Sequence, residues 1–156
     1  MGDVDNNDVN NNVDNNDRNT ILDKALNNEK NDSIIKLNTA KINKIKDTIL
    51  NELNISQAYK EILLDKLSYY RHVDEMPDLE FGNYIRWIPI REGTTEIKLT
   101  NGGLIIGIEI FDDGIHIKCK NNMNRIFQIR LNENLVFQKI TNQEQILLKV
   151  VDYLER

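Results

Sequence analysis

The chain has 156 residues, 29% of them charged and 40% hydrophobic, with a formal net charge of −5, which leaves room for one domain with a real core and excludes two large ones. Five aspartates against Arg18 give residues 1–18 a net −4, so the remainder is near neutral and lacks a broad basic field for non-specific nucleic-acid binding, while a local basic patch stays compatible with it. A single cysteine, Cys119, excludes an intrachain disulfide, and no apolar run approaches the roughly 18–20 residues of a membrane span.

Residues 1–19 are low-complexity Asn and Asp with an occasional Val. These side chains compete with the backbone for hydrogen bonds and offer nothing to bury, so a disordered acidic tail is expected. It reads either as an arm for a basic partner or as a solvated tail shaped by an AT-rich genome. Residues 20–76 form a helical segment: a short helix around Ile21, Leu22 and Leu26, then a longer one over residues 33–53. Ser33 is placed to cap the longer helix, and Ile35, Ile42, Ile45, Ile49 and Leu53 form its stripe. Ser56 starts another helix that runs to about Arg71, with Ile55 as a staple and Tyr59, Ile62, Leu63, Leu67 and Tyr70 as its apolar face. Pro77 disfavours helix for Met76 and marks a change of texture.

Residues 77–156 read as an antiparallel β module with a C-terminal helix. Strands are expected at Tyr84 to Ile90, Glu96 to Thr100, Leu104 to Phe111, Ile115 to Lys120, Arg125 to Leu131 and Leu135 to Ile140. Pro89 suggests an edge or a bulge, Gly107 a bulge, and Asn101 to Gly103 and Asp112 to Gly114 tight turns. Thr141 and Glu144 match a capping box, and Leu147, Val150, Val151 and Leu154 repeat on one face of the helix that follows. The expected fold is α+β: N-terminal helices, then a curved antiparallel sheet or open small barrel of five to six strands, backed by the C-terminal helix.

Strand alternation decides the chemistry. Ile115, Ile117 and Cys119 share one face of their strand, and His116, Lys118 and Lys120 share the other. His116 and Cys119 therefore point apart, so no metal site is expected from them, and Cys119 reads as a small core residue. Gln128 and Arg130 alternate outward on the next strand, with Arg125 beside them, so the two strands offer a basic, amide-rich patch. That patch suits RNA backbone or an acidic protein, and is equally the wet side of a one-sided sheet. Tyr84, Arg86 and Trp87 form a second cluster, either a ligand pocket or, for Trp87, a core anchor. No nucleophile elbow, activated thiol or phosphate-binding glycine loop is visible, so no catalytic residue and no cofactor is expected.

Several stretches together carry a family resemblance: Gly82 to Trp87, Leu99 to Gly103, Ile117 to Lys120, Val136 to Lys139, and Gln143 with Glu144 at the last helix start. The stretch from about Pro77 to Leu154 resembles small uncharacterised proteins of nucleocytoplasmic large DNA viruses, the mimivirus-like giant viruses in particular. The resemblance implies a viral protein of the host cytoplasm or the virion, and the absence of an apolar N-terminal segment and the lone cysteine fit a reducing, intracellular setting. The expected role is a non-enzymatic binding or structural module that contacts other viral proteins or itself. The alternative is an RNA- or DNA-associated accessory protein of viral gene expression. No membrane partner is expected.

Overall fold

The computed structural model of the chain describes residues 32–155. The expectations for residues 1–19 and 20–31, and for the Ser33 side chain as a cap, lie outside the described residues. The helix expected over 33–53 is broken at 36–38, giving α1 (Asp32–Ile35) and α2 (Thr39–Asn51). The buried line of α2 is Ile42, Lys46 and Leu50, spaced four apart, and Ile45 is 40% exposed, so the apolar stripe is rotated from the one the isoleucines suggest. α3 (Gln57–Lys66) starts as expected, with Ser56 Oγ accepting from the Tyr59 N–H at 3.2 Å. It stops short of Arg71 because Tyr70–Val73 is strand β1.

Five more strands follow: β2 (Tyr84–Pro89), β3 (Gly103–Phe111), β4 (Gly114–Lys120), β5 (Ile126–Arg130) and β6 (Asn134–Lys139). Their order is β1-β6-β2-β3-β4-β5, with every neighbouring pair antiparallel. The chain is α+β, with helices, a six-stranded open sheet and a C-terminal helix. One expected strand is absent. Residues 96–100 run beside Trp87, where the Thr100 N–H donates to Trp87 O at 3.0 Å. The Trp87 N–H is taken by the Thr100 hydroxyl at 3.2 Å, so a side chain replaces the ladder carbonyl. Pro89 closes β2 opposite Asn134 of β6; the β2–β3 ladder covers only Tyr84 and Ile85, so the Pro89 nitrogen, on the side away from β6, faces no ladder strand and the position is locally an edge.

The sheet has to curl. Leu131–Glu133, one 3-10 turn, joins β5 to β6, although these strands stand four positions apart. A flat sheet would separate them by about 19 Å, while the four Cα steps from Arg130 to Asn134 reach about 15 Å. Curling brings Trp87 of β2 to Phe127 of β5, with ring centroids 6.4 Å apart across two intervening strands. A bulge at Ile106, between Ile105 and Gly107, adds to the bend.

The concave face holds one core of Val73, Ile85, Trp87, Ile105, Ile117, Cys119 and Val136, with Leu79 and Leu131 at its ends. Each large apolar side chain so buried contributes roughly 1.5–3 kcal/mol. On the convex face, Ile88 and Phe137 are covered by Leu50, Leu63, Leu67 and Leu99, so α2 and α3 shield β6 and β2 and leave the β3–β5 sector wet. Gln138, fully buried, takes the Glu80 N–H on Oε1 and donates to Asp78 O, both at 2.9 Å, and so pins residues 78–80 to β6.

Thr39–Ile140 forms one compact unit, with α2, α3 and the whole sheet; α1 and α4 (Asn142–Leu154) belong to the other. In that second unit α1 packs on α4, and Asn38 Nδ2 donates to Glu155 Oε2. Both bonds of the Thr141–Glu144 capping box are present. The buried side of α4 is Glu144, Leu147 and Leu148; of the expected face Leu147 is buried and Val150 and Val151 are half-buried, while Leu154, at the end of the helix, is exposed.

Candidate functional site

The β4–β5 register places His116 opposite Arg130, Lys118 opposite Gln128 and Lys120 opposite Ile126, so the five expected polar residues share one face. They do not form a free basic row. The two-residue turn at Asp112 and Asp113, opened by Gly114 at φ +127°, sets Asp113 over the end of the ladder. There Asp113 Oδ2 lies 2.9 Å from Arg130 Nη2, and the His116 Nε2–H donates to Asp113 Oδ1 at 2.8 Å. Arg130 Nη1 donates to Glu133 Oε1 at 3.2 Å, and Glu109 sits opposite His116 on β3. Three carboxylates thus offset the row. Hydrogen bonding from His116 holds the Asp113 carboxyl below its ordinary range, against the opposing effect of desolvation and with the Arg130 guanidinium adding to the lowering.

Gln128 Nε2 donates to His116 Nδ1 at 2.7 Å. Both ring nitrogens of His116 are thus engaged within the protein. Lys118, Lys120 and Arg125 make no ion pair among the described residues. Arg125 ends a turn tied by Asn121, whose Oδ1 accepts from the Met123 and Arg125 N–H groups at 3.0 and 2.9 Å.

The second expected cluster is split. Tyr84 Oη donates to Asn101 O at 2.6 Å, and Arg86 Nε donates to Thr100 O at 2.8 Å, both from the face opposite Trp87. Trp87 is 6% exposed on the concave side. The three do not line one pocket.

Trp87 does border a cavity of about 510 Å³, together with Pro89, Arg91, Ile129, Arg130 and Asn134, and with His116, Gln128 and Glu133 around the rim. Gln128 and Arg130 lie on one face of β5 and Ile129 on the other, so a cavity that touches all three runs along the outer edge of that strand. β5 is an edge strand. Asn121 N–H donates to Arg125 O at 2.9 Å, which makes that pair hydrogen-bonded. By the antiparallel alternation, the backbone groups of Ile126, Gln128 and Arg130 then point away from β4. Asn134 Nδ2 covers one of them, Arg130 O, at 2.8 Å. Beside this edge, Ile126 is 61%, Phe127 40% and Met123 81% exposed.

Sequence reasoning missed Asp113 and Glu133 as the counter-charges, and Arg91, Asn134, Ile126 and Phe127 as parts of the site. The Asp113–His116 spacing across a tight turn was the one local signal available. Cys119 is fully buried, and burial pushes its thiol up to about 12, so it offers no nucleophile at neutral pH. No helix among the described residues is long and apolar enough to cross a membrane. No protein-family model, curated protein or solved structure matches the chain.

Proposed function

We propose that the chain is a non-enzymatic binding module that engages a protein partner through the β3–β5 sector of its sheet. The observation that carries this reading is the outer edge of β5, where open backbone groups lie beside exposed Ile126 and Phe127. Monomeric proteins commonly blunt such an edge with charge, proline or a covering element, and β5 has apolar side chains there instead. Ile110 and Phe111, at the far end of β3, are exposed as well but lie apart from this edge. The internal pairing of Arg130 and His116 works against the nucleic-acid alternative, because of the expected basic patch Lys118, Lys120 and Arg125 alone remain for phosphates. On the resemblance to giant-virus proteins, the partner belongs to a virion or viral assembly complex.

The test is photo-crosslinking in the native setting, with a benzophenone amino acid at Met123 or Ile126 and, as a control, at exposed Ile62 on α3. A discrete protein adduct from the β5 positions alone supports the reading. Nucleic-acid adducts from those positions, or equal labelling at Ile62, would overturn it.

A further inference from the structure

Resting on the reading that the partner is a protein, we infer that β5 receives an extended segment of that partner as an added strand, seating one apolar side chain beside Trp87 and an acidic side chain at Arg91. Three independent features converge on this edge. The first is the backbone parity. Ile126 and Gln128 present their N–H and C=O groups outward, and no backbone or side-chain partner takes them among the described residues. A segment lying alongside satisfies these groups in the way a seventh strand would.

The second feature is the cavity. Strand addition draws affinity from the main chain and selectivity from pockets that accept alternate side chains. The cavity along β5 has a mixed lining in which Trp87, Pro89 and Ile129 supply the apolar part, and its volume of about 510 Å³ exceeds that of a single side chain. The Phe127 ring against Trp87 and the Asn134 side chain on Arg130 O hold its walls in place. Asn134 also occupies the backbone acceptor at the Arg130 end, so the added segment pairs over Ile126 to Gln128 and then leaves the ladder where the cavity opens.

The third feature is charge. Arg130 is committed to Asp113 and Glu133, but Arg91 at the cavity makes no ion pair among the described residues, and neither does Arg125 at the opposite end of β5. Cations at both ends of an edge whose middle is apolar call for a segment with alternating apolar residues and acidic residues towards its ends.

The experiment presents the full chain to a random linear heptapeptide library displayed on phage. Enriched peptides are synthesised and titrated by Trp87 fluorescence and by amide chemical shifts. The expected peptides lack proline, alternate apolar residues, carry an acid, and shift the amides of Ile126 and Gln128. N-methylation of alternate peptide amides should weaken binding at least tenfold, and Arg91→Glu should do the same. Ile126→Pro removes an outward N–H without breaking a β4–β5 bond, and should also abolish binding while melting with the parent.

Enriched peptides that are helical or proline-rich, that map elsewhere, or that are indifferent to N-methylation would sink strand addition, as would no enrichment at all. If the β5 crosslinks still capture a protein, only the mode of binding falls; if they do not, the protein-partner reading falls with it.

Discussion

Lys46 donates from Nζ to the carbonyl of Leu67 at 2.8 Å, a bond that joins the middle of α2 to the end of α3. The side chain is 2% exposed, and desolvation lowers the ammonium's pKa. Leu67 O also accepts from the Tyr70 N–H at 3.0 Å, so it keeps a partner without the lysine. The apolar stem is therefore the main loss on truncation. Lys46→Ala should destabilise by about 2–4 kcal/mol, and Lys46→Met by less than about 1.5 kcal/mol. Urea denaturation distinguishes these. Equal losses in the two variants would mean the charge, not the stem, holds the helices.

Gly102 and Gly93 both have positive φ, +83° and +86°, but only one is crowded. A Cβ on Gly102 would stand 2.0 Å from Ile85 O, whereas Gly93 has open space around it. Gly93→Ala should cost about 1–2 kcal/mol for the left-handed backbone alone. Gly102→Ala has to displace the start of β3 from β2, and should exceed about 3 kcal/mol. Thermal melts of the two variants check the order.

His72 carries a pH dependence of known sign. Burial lowers its pKa, with Asp74 opposing, so the unfolded chain binds a proton more readily than the folded one. Stability from this group is full above about pH 6.5 and falls as pH drops through that value towards the folded pKa. Asp113 has a depressed pKa, so its contribution is lost only below about pH 4, outside that window. Unfolding free energy should therefore be lower at about pH 5 than at about pH 7.5, and His72→Phe should flatten the difference. An unchanged slope in the variant would assign the effect to another group.

Cys119, fully buried and with its thiol pushed up to about 12, should resist iodoacetamide in the native protein and react fully in denaturant. Mass spectrometry after a timed pulse reads this directly. Rapid native alkylation would show that the β4–β5 pair opens on the labelling timescale.

Much of the β3–β5 sector was legible because its strands keep one dry and one wet face, so Ile117 and Cys119 separated from His116 and Lys118 by alternation alone. The capping residues Ser56 and Thr141 were equally plain, since their bonds are local. Tyr70–Val73 was not legible as a strand. It follows α3 with no Gly or Pro between, and its ladder partner, β6, lies far along the chain. Ile45 and Lys46 misled in opposite directions, because the slot in question suits a long stem that ends on a carbonyl. The cavity draws residues from β2 and the segment after it, from β4 and β5, and from the turn into β6 with its first residue, and no local pattern records that meeting.

The place of β6 between β1 and β2 orders the making of this protein. A ribosome releases β3, β4 and β5 as a meander that can zip by successive hairpins, while β1, whose neighbour in the sheet is β6, waits for it. The last strand has to enter a slot flanked by two older ones, and its arrival closes the sheet on that side in one event. A nascent chain halted before Asn134 lacks two strands' worth of pairing, not one, and exposes an edge of β2 that the finished molecule never shows.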